Sequence, residues 1–513
     1  MNGAESLVKT LLAGGVDTCF ANPGTSEMHF VASLDRHPDM RCVPCLCEGG
    51  ATGAADGWYR MRGDIAATLL HLGPGLANGL ANLHNARKAG SGVLNVVGDH
   101  TEWHLAHESP LRGDLEGVSR AVSHWTRVSP DAPSVAPDGA EAIRAARSGN
   151  GRIATLVLRA HAAWEDAPGP APVAPPPAPR RPDPAVVTAA ARALRRPGAA
   201  LMIDGPALHG DLAEPAGRVA AKTGCRLIAP FLVSRIARGA GAVRIERERY
   251  AVDENVALLA DVEHMVLCGA GRPVTFFSYP GKPSLPEPPG ATMLDLCAPD
   301  MDIGWTLRAL ADETGATGAE PARMPLDTPA PPAGPMSLEK VGAALAALLP
   351  ENAIVVDESI TASRPLNVPT DTARRSDWLY CTGGAIGLGL PCATGAALAR
   401  PDRKTVALTG DGSAMYTLQS LWTMARENLG VLTIVFANRG YQILRGELAN
   451  VGVPDYGPNA ARMFDVENPS LDWVALAKGH GVEARRATDI DEFTAALRHG
   501  LAAEGPYLIE VVC

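Results

Sequence analysis

Short apolar strands alternate with helical stretches along most of the 513-residue chain, and this alternation limits the possible folds more than any other feature. Near the start, strand-like runs at 65–70 and 92–98 follow helical patterns at 49–61 and 76–87. Repeated alternation of this kind packs helices on the faces of a parallel sheet. The sequence therefore predicts an α/β protein built from parallel sheets flanked by helices.

Two proline-rich stretches, at 167–184 and 320–335, interrupt the alternation and have the composition of extended linkers. They predict three domains, at 1–166, 185–320 and 336–513, each near the usual domain size. The first and third segments repeat the same strand–helix pattern and are expected to be architecturally alike. The middle segment alternates too but has fewer glycine turns, so we expect it to support the other two.

Charge and composition exclude several classes of function. The net charge of −10 provides no basic surface to neutralise the phosphates of a nucleic acid. The first residues lack a basic segment followed by an apolar core, and no apolar run approaches about 18 residues. We therefore expect a cytoplasmic protein without a membrane span. Cys42, Cys45 and Cys47 lie close together without a second pair at zinc-site spacing, and we interpret them as reduced, buried thiols.

The third segment carries the sharpest local pattern. A strand ends at Thr409 and is followed by a turn at 410–413 that contains Asp411, and the next strand ends at Phe436, just before Ala437 and Asn438. Neighbouring parallel strands present their carboxyl ends at one edge of the sheet, where α/β folds bind ligands. Carboxylate and amide oxygens suit Mg²⁺, and Gly412 and Ser413 open a helix whose free N–H groups suit phosphates. A joint metal and diphosphate site is predicted there.

This Gly-Asp-Gly turn, followed after 25 residues by Asn-x-Gly, resembles the cofactor motif of thiamine diphosphate (ThDP) dependent enzymes. The resemblance implies that Asp411, Asn438 and the backbone oxygen of Gly440 bind Mg²⁺, and that Tyr441 lies near the diphosphate. The family often has asparagine where this chain has Ala437, but the metal-binding asparagine itself is kept.

The segment CLCEGGATGAADGWYRM at 45–61 resembles the activating-glutamate motif of the same family. Glu48 follows a strand and opens a helix of small residues, so a flat ring could approach the backbone closely. A single glutamate in this position is more often an exposed helix cap. The resemblance reverses that interpretation, and it implies that Glu48 bonds the aminopyrimidine ring and promotes formation of the C2 ylide.

The resemblance covers nearly the whole chain and is closest to benzoylformate decarboxylase and its acetolactate-synthase-like relatives. The sequence NPGTSE at 22–27 resembles their substrate loop, where Thr25 retains a hydroxyl for the substrate carboxylate. LLHLGPGLANGLANLHNA at 69–86 places His71 at the position of a catalytic histidine. The resemblance also implies further cofactor contacts from Pro23, Asn78, Glu358, Ser359, Thr361, Gly384 and Ile386. It places Ile386 between the two rings of the cofactor.

The resemblance fails at a second catalytic histidine, whose position is taken by Ser278. Three loop histidines, at 100, 104 and 107, could take over its role, and His104 is our candidate. Glu447 stands where the decarboxylases carry a pocket aromatic, so benzoylformate itself is not expected as the substrate. The other implied pocket residues are Thr25, Tyr380, Ile443 and Leu444.

These features predict a ThDP- and Mg²⁺-dependent 2-keto acid decarboxylase or carboligase that works through the ylide and an enamine. Protonation of the enamine would release an aldehyde, whereas attack on a second carbonyl would be an acetolactate synthase-type condensation. The alternative from another functional class is a non-catalytic ThDP-binding paralogue. A nicotinamide dehydrogenase is not supported, because the sequence has no G-x-G-x-x-G motif that opens a helix. The family resemblance implies that the cofactor is shared between the first domain of one subunit and the third domain of another, so that a homodimer is the smallest active unit, and a homotetramer is common. FAD is not expected, because the middle segment carries no flavin fingerprint.

Overall fold

The computed structural model describes all 513 residues, which form three α/β units, each built on its own sheet. The first unit has six parallel strands in the order β2-β1-β3-β4-β6-β5. The strands are β1 (Thr18–Asn22), β2 (Arg41–Pro44), β3 (Ala66–Leu70), β4 (Val93–Asp99), β5 (Trp125–Ser129) and β6 (Ile153–Arg159). The helices are α1 (Gly3–Ala13), α2 (Met28–Leu34), α3 (Glu48–Arg62), α4 (Leu72–Ala89), α5 (Leu115–Arg120), α6 (Ala132–Ala146) and α7 (Ala160–Trp164).

The middle unit has a smaller parallel sheet of five strands in the order β10-β8-β7-β11-β12. The strands of this segment are β7 (Ala199–Ile203), β8 (Arg226–Ala229), β9 (Arg235–Arg238), β10 (Glu246–Arg247), β11 (His264–Cys268) and β12 (Thr292–Cys297). Its helices are α8 (Pro184–Ala193), α9 (Glu214–Thr223), α10 (Val252–Leu259) and α11 (Ile303–Thr314).

The third unit repeats the architecture of the first, with the order β17-β18-β16-β15-β13-β14 in its parallel strands. The strands are β13 (Ala353–Glu358), β14 (Ser376–Tyr380), β15 (Thr405–Gly410), β16 (Val431–Ala437), β17 (Glu483–Ala487) and β18 (Tyr507–Val512). The helices are α12 (Leu338–Leu348), α13 (Ser363–Thr370), α14 (Gly389–Ala399), α15 (Asp411–Ala414), α16 (Ser420–Arg426), α17 (Gln442–Asn450), α18 (Pro458–Phe464), α19 (Trp473–Gly479) and α20 (Ile490–Ala502).

The predicted likeness of the two outer units is therefore confirmed at the level of strand order. Numbered within each unit, both sheets run 2-1-3-4-6-5. The central strands β4 and β16 are buried along their whole length, as the continuous apolar runs of the sequence require for a sheet covered on both faces. All ten cysteines are free thiols, and no helix is both long and apolar enough to cross a membrane.

One strand of the middle segment leaves its own unit. Strand β9 pairs antiparallel with β14 and forms the seventh, outermost strand of the third sheet. Its Arg238 is buried and donates to Asp371 at 2.6 Å and to the Tyr380 hydroxyl at 2.9 Å. Arg235 makes a two-bond pair with Asp377 at 2.9 and 3.0 Å. The division into three segments read from the prolines does not capture this exchange.

The first and third units meet where α3 crosses α14 at backbone distance. An ideal Cβ on Gly57 would lie 2.0 Å from the carbonyl oxygen of Cys392, and one on Gly395 would lie 1.8 Å from that of Ala54. Glycine is therefore required on both helices for this approach. Since α3 begins at Glu48 and α14 follows the loop around Gly384, the crossing sets the spacing between two predicted parts of the site.

Candidate cofactor and substrate site

Asp411 and Asn438 emerge side by side, as the sequence predicts, because Gly410 of β15 pairs with Phe436 of β16. Asp411 is 3% exposed, and its two oxygens accept the backbone N–H groups of Gly412 at 2.8 Å and Arg439 at 2.7 Å. Burial raises the pKa of this carboxyl group, and no cationic side chain pairs with it. A buried carboxylate beside an amide oxygen, without a cationic partner, suits a hard divalent cation.

The Gly-Asp-Gly turn is tightly covered. An ideal Cβ on Gly412 would lie 2.5 Å from the Tyr441 ring, so only glycine fits beneath that ring. Asn438 accepts the N–H of Gly440 at 3.1 Å, and Ser413 is buried in the short helix α15. The structure thus gathers the predicted metal and diphosphate residues at one edge of the third sheet: Asp411, Gly412, Ser413, Asn438, Gly440 and Tyr441.

Glu48 lies in the first turn of α3 and is 7% exposed. One of its oxygens accepts a hydrogen bond from the side-chain amide of Asn78 at 3.0 Å. An ideal Cβ on Gly75 would lie 3.0 Å from the other oxygen, so the surrounding backbone is shaped closely around the carboxylate. Asn78, predicted as a cofactor contact, orients Glu48 in this structure.

The loop at 382–388, between β14 and α14, contains Gly384 and the half-buried Ile386. Gly384 has φ +70° and Gly387 has φ +93°, a left-handed backbone that favours glycine. The carbonyl of Gly387 accepts from the Asn82 amide at 3.2 Å and from the Thr417 hydroxyl at 2.8 Å. Asn82 also donates to the Gly49 carbonyl at 2.8 Å. Helix α4 therefore ties this loop to the residue after Glu48 within one chain.

Asn85 also binds the 382–388 loop, and we call the hydrogen bonds of Asn82 and Asn85 to this loop the clasp. Sequence reasoning missed both residues. The Asn85 side chain donates to the carbonyl of Ala385 at 2.8 Å and accepts the N–H of the same residue at 3.2 Å. With Asn78, the three asparagines are spaced i, i+4, i+7, which puts them on one face of a helix. That spacing is the signal in the sequence that could have identified them.

Glu358 and Ser359 support the 382–388 loop from behind. Glu358 is 2% exposed, and its carboxylate accepts from the Leu388 N–H at 2.7 Å and the Thr409 hydroxyl at 3.2 Å. Burial raises its pKa to about 7. The Ser359 hydroxyl donates to Asp357 at 2.6 Å. Thr361 is half-buried and its hydroxyl makes no hydrogen bond within the chain.

His71, at the start of α4, forms a pair with a second acid that sequence reasoning did not select. Its Nδ1 lies 2.9 Å from Glu27, which is 2% exposed and also accepts the N–H of Gly24 at 2.8 Å. The Ser26 hydroxyl donates to the other Glu27 oxygen at 2.5 Å. An ideal Cβ on Gly98 would lie 1.7 Å from that oxygen, so β4 closes over the carboxylate. Nε2 of His71 makes no hydrogen bond within the chain.

The signal for Glu27 was present but ambiguous. Its bond to the Gly24 N–H is the geometry of a capping box, so an acid three residues after a turn is equally typical of a helix start. Thr25 and Pro23, in the same loop, are both exposed. Their predicted roles at the substrate and cofactor remain predictions.

The two candidates for the second proton-transferring group lie on the surface. Ser278 is exposed and its hydroxyl has no hydrogen-bond partner in the chain. His104 is exposed, with its ring 5.1 Å from that of His100 and 6.2 Å from that of His107. Neither makes a hydrogen bond to His71.

The predicted pocket residues fall into two groups. Tyr380 is 4% exposed, and its hydroxyl is engaged by Arg238. Ile443, Leu444 and Glu447 lie on α17, which begins directly after Tyr441. Two tyrosines of the middle segment, which sequence reasoning also missed, donate to Glu447: Tyr250 at 2.8 Å and Tyr279 at 2.6 Å.

Comparisons with known proteins agree with this arrangement. Residues 1–118 match the family model for the thiamine pyrophosphate enzyme N-terminal TPP binding domain, and residues 368–511 match the C-terminal TPP binding domain. A Mycobacterium tuberculosis protein provisionally named acetolactate synthase large subunit IlvX is 47% identical over 100% of this chain and 99% of its own. Benzoylformate decarboxylase of Pseudomonas aeruginosa is 29% identical over 97% of this chain and 96% of its own.

Among solved structures, the 4-hydroxybenzoylformate decarboxylase of Rhodococcus jostii has a TM-score of 0.85 at 24% identity, covering 99% of this chain and 98% of its own. At that identity the likeness establishes the fold alone, which is the three-unit ThDP fold. The two matched domains carry Glu48 and Asp411 respectively, and the 47% identical relative spans every residue of the chain. The protein therefore belongs to the thiamine pyrophosphate (ThDP) enzyme family, among relatives named as decarboxylases and acetolactate synthases.

Proposed function

We propose that this enzyme is a ThDP- and Mg²⁺-dependent 2-keto acid decarboxylase with carboligase capacity. The single observation that carries the proposal is the Glu27–His71 pair at 2.9 Å, because a merely cofactor-binding protein has no need of a buried acid that orients a partly exposed histidine. The site also keeps a shielded carboxylate in each cofactor-binding domain, Glu48 in the first and Asp411 in the third.

The residues present fit the cofactor. Asp411, the Asn438 side chain and the Gly440 carbonyl would hold Mg²⁺, and the turn at Gly412 has room only for backbone beneath Tyr441. Glu48, held by Asn78, would bond the aminopyrimidine ring. When bound, ThDP supplies the electron sink that accepts the bonding pair as carbon dioxide leaves a 2-keto acid.

The chain's own residues then handle protons and position. Nδ1 of His71 is occupied by Glu27, so Nε2 would exchange protons with the reacting substrate while the carboxylate holds the ring in place. The Thr25 hydroxyl would face the substrate carboxylate. The clasp of Asn82 and Asn85 would keep the 382–388 loop at a fixed distance from Glu48.

An acetolactate synthase-type condensation is the second candidate, and it is favoured by the name of the 47% identical relative. The two reactions share the loss of carbon dioxide and differ in whether the product is an aldehyde or a 2-hydroxy ketone. The proposal extends to a cytoplasmic location and to a homotetramer built from homodimers. Light scattering on a sizing column would test the oligomeric state.

The experiment titrates ThDP with Mg²⁺ into purified apoprotein and follows carbon dioxide release from a panel of 2-keto acids, with chromatography of the products. Glu48→Gln is expected to bind ThDP within about threefold of wild type yet lose most of the rate. Glu116→Gln, a change of an exposed acid in the same domain, is the matched control and is expected to behave as wild type. Tight ThDP binding without turnover of any 2-keto acid would refute the proposal in favour of a non-catalytic paralogue.

A further inference from the structure

Glu447 is a carboxylate held on both oxygens by neutral donors. The Tyr250 hydroxyl donates to Oε1 at 2.8 Å and the Tyr279 hydroxyl to Oε2 at 2.6 Å, and Asn450 adds a weaker bond at 3.3 Å. No lysine, arginine or histidine lies within ion-pair distance of it. The fold therefore orients this charge without neutralising it.

Glu447 is linked to both cofactor loops by neighbouring residues. Helix α17 starts at Gln442, immediately after the metal loop that ends at Tyr441. On the other side, the Tyr250 ring lies 5.3 Å from the ring of Phe276. Phe276 in turn lies 3.1 Å from the position of an ideal Cβ on Gly384, in the 382–388 loop. Glu447 is therefore connected to both loops, to one along the chain and to the other through Tyr250 and Phe276.

The nearby cations do not neutralise Glu447. Arg445, on the same helix, is paired with Asp465 at 2.7 Å. Arg364 stands over the Tyr250 ring at 5.3 Å and forms no ion pair with Glu447. Burial, together with the bond to Glu447, raises the pKa of both tyrosines, so their phenols keep their protons and act as donors. Oε2 accepts from Tyr279 alone, and because a carboxylate oxygen can accept two hydrogen bonds, it keeps capacity for an incoming donor.

We propose that Glu447, oriented by Tyr250 and Tyr279, is a specificity-determining residue that selects 2-keto acids whose side chain ends in a cation. This inference rests on the proposed function and adds the substrate class. A neutral or aromatic side chain placed here would displace water from the Glu447 carboxylate without replacing its hydrogen bonds. An anionic side chain would be repelled. A guanidinium or ammonium group would replace that water with a charge-assisted hydrogen bond.

The test compares two substrates of equal shape on the holoenzyme with ThDP and Mg²⁺: 5-guanidino-2-oxopentanoate, which is cationic, and 5-ureido-2-oxopentanoate, which is neutral. Wild type is expected to prefer the cation by at least about tenfold in kcat/KM, and Glu447→Gln to reduce the preference to within about threefold. Glu254→Gln, which removes an exposed acid on α10, is the control and should keep the preference. Tyr279→Phe should raise KM for the guanidino substrate and leave kcat in place, whereas an unchanged KM would refute its positioning role.

A second measurement separates this inference from the proposed function. Calorimetric binding of 5-guanidinopentanoate and 5-ureidopentanoate, which have no keto group, needs no turnover. If wild type shows no preference for the cation in binding or in turnover, the inference is wrong, even when other 2-keto acids are decarboxylated. If no 2-keto acid is decarboxylated but the guanidino ligand binds preferentially and Glu447→Gln abolishes that preference, recognition of the cation stands and the proposed function fails.

Discussion

Replacing Gly395 by alanine tests whether the α3–α14 crossing sets the spacing of the cofactor site. The added Cβ would lie 1.8 Å from the Ala54 carbonyl oxygen, 2.7 Å from its carbon and 2.8 Å from the Trp58 nitrogen. All three neighbours are backbone atoms, so no side chain can rotate away. A carbon–oxygen contact relaxes at roughly 3.3 Å, which means that the two helices must separate by about 1.5 Å.

The size of the effect follows from packing energies. Forcing an extra methyl group into a filled contact costs about 1 to 3 kcal/mol. If ThDP binding depends on the present spacing of Glu48 and the 382–388 loop within each chain, that strain is subtracted from its binding free energy. The apparent affinity for ThDP is then expected to fall by about 5-fold to 150-fold.

The assay titrates ThDP at saturating Mg²⁺ and follows the intrinsic tryptophan fluorescence, to which Trp58 of α3 contributes, with thermal midpoints measured in parallel. Gly479→Ala is the control, because its Cβ would meet nothing within 4 Å at the end of α19. Gly53→Ala should be milder than Gly395→Ala, since its nearest neighbour is the Pro391 ring at 2.7 Å rather than backbone. Wild-type affinity in Gly395→Ala, or a larger effect in Gly53→Ala, would refute the reasoning.

Three further predictions concern single acids of the site. Glu27→Gln removes the charge that holds His71, so kcat is expected to fall at least about tenfold while ThDP affinity stays within about threefold; an unchanged kcat would show that the pair has no catalytic role. Asp411→Ala should weaken Mg²⁺-supported ThDP binding at least about tenfold by calorimetry, and EDTA should reproduce the loss in wild type; binding unaffected by EDTA would contradict the metal site. Burial holds the pKa of Glu358 at about 7 against an ordinary 4.5, so the folded state retains a proton that the unfolded chain releases. Wild-type stability should therefore fall as pH rises from about 4.5 to 7, with the loss complete above about 7, whereas Glu358→Gln should lack this pH-dependent loss. Calorimetric unfolding midpoints measured at about pH 5, 6 and 7.5 that move in parallel for the two proteins would count against this prediction.

The sequence predicted those parts of the fold and site that depend on local patterns. Asp411 and Asn438 each follow an apolar strand directly, so finding the strands was enough to place both at one sheet edge. Glu48 opens a helix of small residues for the same local reason. The repeated alternation also predicted that the two outer units would be alike, but it does not encode their strand order, since the middle unit alternates too and has a different order.

The remaining contacts depend on packing between distant parts of the chain. His71 and Glu27 are 44 residues apart, and the two tyrosines are 168 and 197 residues from Glu447. No period of 2 or 3.6 residues encodes such pairings. The exposed positions of Ser278 and His104 likewise depend on how loops settle on the finished fold, which a motif comparison does not supply.

The strand that the middle segment lends to the third sheet bears on modular exchange within this family. A graft that replaced 185–320 with a foreign counterpart would remove β9 and leave the N–H and C=O groups of β14 open along an edge prone to aggregation. It would also leave Asp371 and Asp377 without Arg238 and Arg235. A replacement middle segment must therefore bring its own edge strand and arginines, which couples the middle and third domains in any recombination within this family.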